Sequence, residues 1–153
     1  MINAANSHLK LEKQLCFRLY SLSKKMNRLY TPLLKELSLT YPQYLVMLVL
    51  WDSANGLSIK TLGLRLDLDT GTLSPLLKRM EALGIISRCR NKDDERSVEI
   101  QLTESGQRLK DKAHDIPTKM LSITGFTPEQ LQLLNPQLDQ LLVNISDSNV
   151  GDS

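Results

Sequence analysis

Between Ser58 and Leu102 the spacing of apolar residues changes from a helical to a strand period, and that change restricts the fold more than any other feature. Ser58 has the character of a cap for a short helix, Ile59 to about Leu66, with Leu62 and Leu66 on one face. A tight break at Leu68-Asp69 leads to a second helix running to Leu83, where Gly84 supplies a left-handed stop. Pro75 predicts that this second helix is regular only from about Thr72, because proline is tolerated in a first turn but not later. Two short helices joined by a few residues form a helix-turn-helix pattern. Ile85–Arg90 and Ser97–Leu102 then have strand character, and the polar run Asn91–Arg96 between them suits a hairpin tip. A hairpin directly behind a helix-turn-helix is a wing. The expected fold is mainly α with a small β-hairpin wing, a winged helix-turn-helix.

The flanks read as helices. Leu15, Leu19, Leu22, Met26 and Leu29 recur at three-and-four spacing within a helix from about Leu9 to Tyr30. Pro32 is expected to end it and to begin a short helix to Leu37. Thr40-Tyr41-Pro42 is a further helix start, and the very apolar run Tyr44–Trp51 behind it predicts a helix buried on most sides, closed by Asn55-Gly56. Thr103 opens another helix, which Pro117 is expected to kink. A last helix spans about Pro128 to Ile145, with Leu131, Leu134, Leu138, Leu141 and Leu142 on its apolar side. The tail from Ser146 has no packing residues and is expected to be disordered, at least over 147–153.

Composition excludes several classes. No stretch approaches ~20 uninterrupted apolar residues, so no membrane span is expected, and Met1–Lys10 has no secretory core, which implies the cytoplasm. Cys16 and Cys89, with His8 and His114, make neither a disulfide scaffold nor a credible metal site, so no metal or cofactor is expected. Net charge is only +2, but residues 1–57 and 58–96 carry +4 and +2 while residues 97–153 carry −4. A basic front and an acidic rear point one end at an anionic partner, although solvated helices often share this pattern.

Major-groove reading needs short polar side chains near a helix N-terminus and cations that hold phosphates. Thr70, Thr72 and Ser74 occupy such positions behind Asp69, with Lys78 and Arg79 one to two turns on. Taken singly, each Ser or Thr is as well explained as a cap. The wing adds Arg88, Arg90, Lys92 and Arg96. An arginine at a hairpin tip suits a narrow minor groove, and Asp94 could hold the Arg96 guanidinium in a fixed fork. A solvated charge cluster is the plainer account of Asp93 and Glu95.

The stretch Asp94-Glu95-Arg96 with Leu102-Thr103-Glu104-Ser105-Gly106 resembles the wing-and-exit signature of the MarR family of bacterial regulators. Leu15-Cys16-Phe17, Tyr30-Thr31-Pro32-Leu33-Leu34, Leu39–Tyr44 and Gly71–Arg79 are similar to the family's organic-hydroperoxide-sensing subgroup, OhrR. The resemblance covers about residues 9–120. It implies an obligate homodimer, with residues 1–40 and 104–146 as the dimerisation region and 41–103 as the DNA-binding lobe, on a pseudo-palindromic operator. It also implies that Cys16 is a peroxide sensor, with Tyr30 and Tyr41 reaching it from the other subunit. Tyr20, four residues after Cys16, shares its helix face. The effector would be an organic hydroperoxide and the product a sulfenic acid. Some members of the subgroup go on to a disulfide with a cysteine in the C-terminal helical region, but the matching region around Met120-Leu121 has none, which leaves a low-molecular-weight thiol or over-oxidation as the next step. Cys89, in a wing strand, is read as incidental. Two rivals remain open: a repressor released by a small phenolic or anionic ligand with Cys16 inert, and a thiol peroxidase. The wing and basic residues would be without purpose in an enzyme.

Overall fold

The computed structural model describes residues 9–90 and 98–147. A short 3-10 turn, Leu11–Lys13, precedes α1 (Leu15–Leu34), and α2 (Tyr41–Trp51) follows. Then come β1 (Leu57–Ser58), α3 (Ile59–Leu66), α4 (Thr70–Ala82), β2 (Ile86–Arg90), β3 (Val98–Leu102) and α5 (Glu104–Ala113). α6 (Ile116–Thr124) and α7 (Pro128–Asp147) complete the described chain, which divides into two compact units between His114 and Asp115. The mainly helical winged fold expected from the sequence is present. Among the described residues no helix is long and apolar enough to cross a membrane.

α2 is the centre of the first unit. Thr40 and Gln43 form a capping box at its start, with the Gln43 side chain accepting the Thr40 amide at 2.8 Å. Within the apolar run Tyr44, Val46, Met47, Val49, Leu50 and Trp51 are buried, as expected, while Leu48 is exposed; Gln43, ahead of the run, is buried as well. Leu62 of α3 and Leu73, Leu77 and Met80 of α4 complete this core, each with no exposed surface. An Asp52–Arg65 ion pair of 2.8 Å ties the end of α2 to α3, but both partners are well exposed and the pair contributes little.

Three prolines behave differently from expectation. Pro32 does not end α1, which continues to Leu34 before a 3-10 turn at Lys35–Leu37. It falls in the last turn, so only one backbone bond is forfeited there. Pro75 lies inside α4, which is regular from Thr70 rather than Thr72. The Asp69 cap secures that first turn: its carboxylate accepts the Thr72 amide and the Thr72 hydroxyl, each at 2.8 Å. Pro117 does not kink a continuous helix. α5 stops at Ala113, and Pro117 sits in the first turn of a new one, where its missing N–H has no partner to lose.

The sheet has the antiparallel order β1-β3-β2. β2 and β3 form the expected hairpin, with Ile86 opposite Leu102 and Arg90 opposite Val98. β1 was not foreseen; its two residues pair with Ile100 and Glu99. Gly84, at φ 69°, makes the left-handed stop between α4 and β2. The tip Asn91–Arg96 and the tail 148–153 lie outside the described residues, while Ser146 and Asp147 belong to α7. In α7, Leu131, Leu134, Leu138 and Leu141 are half-buried at helical spacing, whereas Leu142 is exposed.

α5 starts in close contact with the hairpin. A Cβ on Gly106 would collide with the Ile85 carbonyl oxygen, so only glycine fits. Thr103 accepts the Gly106 amide at 3.1 Å and donates its hydroxyl proton to the Gly84 carbonyl at 2.7 Å. Thr103→Ala removes the cap and this link together, and is expected to lower the unfolding free energy by ~1–2 kcal/mol in urea titrations. The Thr72 bonds, hydroxyl first and amide second, hold the Asp69 carboxyl below its ordinary value of 3.8. The cap is therefore intact above that value and is lost only as pH falls through the lower folded one. The chemical shift of the Thr72 amide proton is expected to titrate with a midpoint under 3.8, and a midpoint at or above it would refute the cap's charge-assisted character.

Candidate functional site

Two sets of side chains are candidates, one on α4 and the wing, the other on α1 and α2. On α4 the buried stripe is Leu73, Leu77 and Met80. At about 100° per residue, Gly71, Pro75, Lys78 and Arg79 turn away from it, and all four are exposed. Thr70 is exposed at the first position, and Ser74 is half-buried on the flank. Thr72 is exposed, but its amide and hydroxyl protons are both committed to Asp69, leaving its oxygen as an acceptor. Gly71 and Pro75 were not anticipated as site residues. They keep the outer face of the first turns free of long side chains, which lets a partner approach the backbone; in the sequence both stand in the Gly71–Arg79 segment that carries the family resemblance, where Pro75 bears only on where the helix becomes regular.

On β2, Arg88 and Arg90 alternate with Ser87 and Cys89. Arg88 Nε donates to Glu81 of α4 at 3.1 Å, so this cation braces the wing against the end of the helix. Glu81 was not singled out, because an ion pair between α4 and β2 leaves no signal in spacing. Arg90 is exposed at the end of the described strand. Lys92, Asp94 and Arg96 lie outside the described residues. Cys89 lines a cleft of about 710 Å³ with Asn55, Arg90, Gln101 and Gln107, and its sulfur is 3.9 Å from Ser87 Oγ.

Cys16 is an exposed free thiol in the first turn of α1. Leu15, Phe17, Tyr20 and Leu22 around it are also exposed, and Lys24 Nζ sits 5.4 Å above the Tyr20 ring. Tyr20 lies on the Cys16 side of the helix, with Leu15 and Leu22 turned to one flank and Phe17 to the other, so exposed apolar groups ring this end of α1, which is unusual on a finished surface. Tyr30 and Tyr41 are brought together, their ring centroids 4.5 Å apart, and Tyr44 joins them at 5.8 Å from Tyr30. In the sequence Tyr44 stands in the resembling segment Leu39–Tyr44 and in the apolar run, with nothing to set it beside Tyr30. Burial pushes all three phenols above their ordinary value of 10.0; in Tyr30 and Tyr44 repulsion between neighbouring phenolates adds to it. They therefore remain O–H donors at neutral pH. Fourteen residues of helix separate Tyr30 from Cys16, a rise of about 21 Å. Within one chain the thiol and the paired phenols do not meet.

Residues 28–113 match the family model described as transcriptional regulator SarA/Rot. The organic hydroperoxide resistance transcriptional regulator of Bacillus subtilis is 49% identical over 142 residues, 93% of this chain and 96% of that protein. The regulator MgrA of Staphylococcus aureus is 38% identical over 86% of this chain and 90% of its own. Among solved structures, reduced AbfR bound to DNA aligns with a TM-score of 0.73 at 32% identity, covering 92% of this chain and 98% of that one. The disulfide form of AbfR aligns at 0.59 and 33% identity, covering 93% and 99%. These relatives are transcriptional regulators rather than enzymes, and the matched range 28–113 includes α3, α4 and the Thr103–Gly106 exit. The chain belongs to the MarR/SarA family of winged-helix, DNA-binding transcriptional regulators.

Proposed function

We propose that this regulator is a redox-sensing repressor that holds a pseudo-palindromic operator as a homodimer and releases it when an organic hydroperoxide oxidises Cys16. The observation that carries the reading is the separation just described: an exposed thiol among exposed apolar side chains, and a half-buried phenol pair formed by Tyr30, about 21 Å further along α1, and Tyr41 of α2. A second copy packed against the start of α1 brings its own Tyr30 and Tyr41 to the thiol and covers Tyr20 beside it. The similarity to the B. subtilis hydroperoxide regulator, and the existence of AbfR in reduced and disulfide forms, favour the same chemistry.

The chemistry balances simply. The thiolate sulfur attacks the outer peroxide oxygen, the O–O bond breaks, and an alcohol leaves after taking a proton. Cys16 becomes a sulfenic acid. A low-molecular-weight thiol then condenses with it, releasing water and leaving a mixed disulfide. Phenolic O–H donors favour charged sulfur before the reaction. The apolar surround favours an organic peroxide over hydrogen peroxide. Oxygen or a thiol adduct placed among packed rings forces the tyrosines aside and separates the DNA-binding lobes, which residues 41–103 contain.

On DNA, the first turns of α4 would enter the major groove, with Thr70, Thr72 and Ser74 near bases and Lys78 and Arg79 on phosphates. Arg90 and the wing residues Lys92 and Arg96, with Asp94 behind the latter, would follow the neighbouring minor groove, while Arg88 steadies the wing.

Two experiments check this. Binding to the promoter of the protein's own gene is measured for wild type and Cys16→Ser, before and after an organic hydroperoxide with a small thiol. Wild type is expected to release DNA and the variant to retain it; if both retain DNA, a small-ligand signal replaces the redox one. Lys78→Ala is expected to weaken binding to all sequences alike and to make the log–log salt slope shallower by about one. An unchanged slope would remove Lys78 from the phosphate contacts.

A further inference from the structure

The tyrosine cluster continues into the base of the wing. Tyr44, which is only 2% exposed, meets Trp51 edge-on two turns further along α2, with ring centroids 6.3 Å apart. The Trp51 indole N–H donates to the Gly106 carbonyl at 3.0 Å. Lys110 Nζ donates to the Trp51 carbonyl at 3.1 Å, so α5 is bonded to the last residue of α2 twice. Gly106 is pressed against Ile85, and the Thr103 hydroxyl reaches Gly84 at the exit of α4. A continuous series of contacts thus leads from Tyr30 and Tyr41 to the point where α4 ends and the wing begins.

We propose that Trp51 is a positioning residue, which passes a displacement of the tyrosine cluster to the end of α4 and the root of the wing through its bond to Gly106. The inference rests on the redox reading of Cys16. Packed rings at crystal-like density have little free volume to absorb a shift, so Tyr44 must move or push when Tyr30 and Tyr41 are displaced. The indole is the one ring of this series with a hydrogen bond to α5. Spatial continuity alone does not establish coupling, so the test must separate transmission from simple support.

Trp51→Phe keeps an aromatic ring against Tyr44 and removes the N–H donor. Its operator affinity is measured reduced and after oxidation by an organic hydroperoxide with a small thiol, while mass spectrometry follows Cys16. Trp51 is also the sole tryptophan of the chain, so its emission in wild type reads the same contact without any substitution. In the variant, Cys16 is expected to oxidise at the wild-type rate, while the ratio of reduced to oxidised affinity shrinks about three- to tenfold, the scale of one buried hydrogen bond. In wild type, Trp51 emission is expected to change on oxidation, and in Cys16→Ser it is expected to stay constant. Equal loss of both affinities in the variant means mere support and overturns the proposal. So does unchanged emission in a wild type that has released its DNA, a result that decides the matter even if the variant does not fold. A wild type that keeps its DNA with Cys16 fully oxidised defeats the redox reading itself, and this inference with it.

Discussion

The close approach of Gly106 to Ile85 is the constraint on which the winged helix-turn-helix depends. With no Cβ in the way, the first turn of α5 lies directly against the start of the hairpin. Thr103 can then cap α5 and bond Gly84 with the same hydroxyl group, and the Trp51 indole can reach the Gly106 carbonyl. Three segments distant in sequence, the end of α2, the exit of α4 and the start of α5, meet within a few ångströms. Any larger residue at position 106 would separate them and leave buried backbone groups without partners, a loss costlier than the individual bonds suggest. The Leu-Thr-Glu-Ser-Gly segment is in this sense a structural joint.

Much of this arrangement was readable in advance because it is written in periodicity and caps. Leu62 with Leu66, Leu73 with Leu77 and Met80, and the alternation across Ile86–Arg90 are short-range patterns that local geometry must obey. The misreadings share a cause. Proline is not a boundary in itself: its cost depends on how many bonds lie downstream and how well the first turn is capped. Pro32 forfeits little so near the end of α1, and Asp69 secures α4 ahead of Pro75. Pro117 begins a helix rather than bending one. β1 escaped notice since two residues carry no period; it exists only because β3 offers an edge.

The site divides in the same way. Cys16, Tyr30 and Tyr41 were visible as residues, but their distances were not, because these depend on helix rise and on the packing of α1 against α2. The structure stacks Tyr30 on Tyr41 and adds Tyr44, and it leaves the thiol far from all three within one chain. On α4 and the wing, side-chain type indicates which residues could contact phosphates. Pairing decided which are occupied: Arg88 is engaged by Glu81, and Thr72 is held by Asp69, so neither is as free as its position suggested.

Ser58 has two attachments. Its backbone pairs with Glu99 at the edge of the sheet, and its side chain caps α3 by accepting the Thr61 amide at 3.1 Å. A single residue therefore belongs to the wing and to the helix-turn-helix at once. The two halves of the reading head cannot drift independently, because a tilt of the hairpin draws the start of α3 with it. Exchanging the hairpin for that of another regulator would transplant only half a hinge unless Leu57 and Ser58 travelled with it. Over evolutionary time the same coupling favours changing both parts together, so that wing and helix diversify as one inherited module.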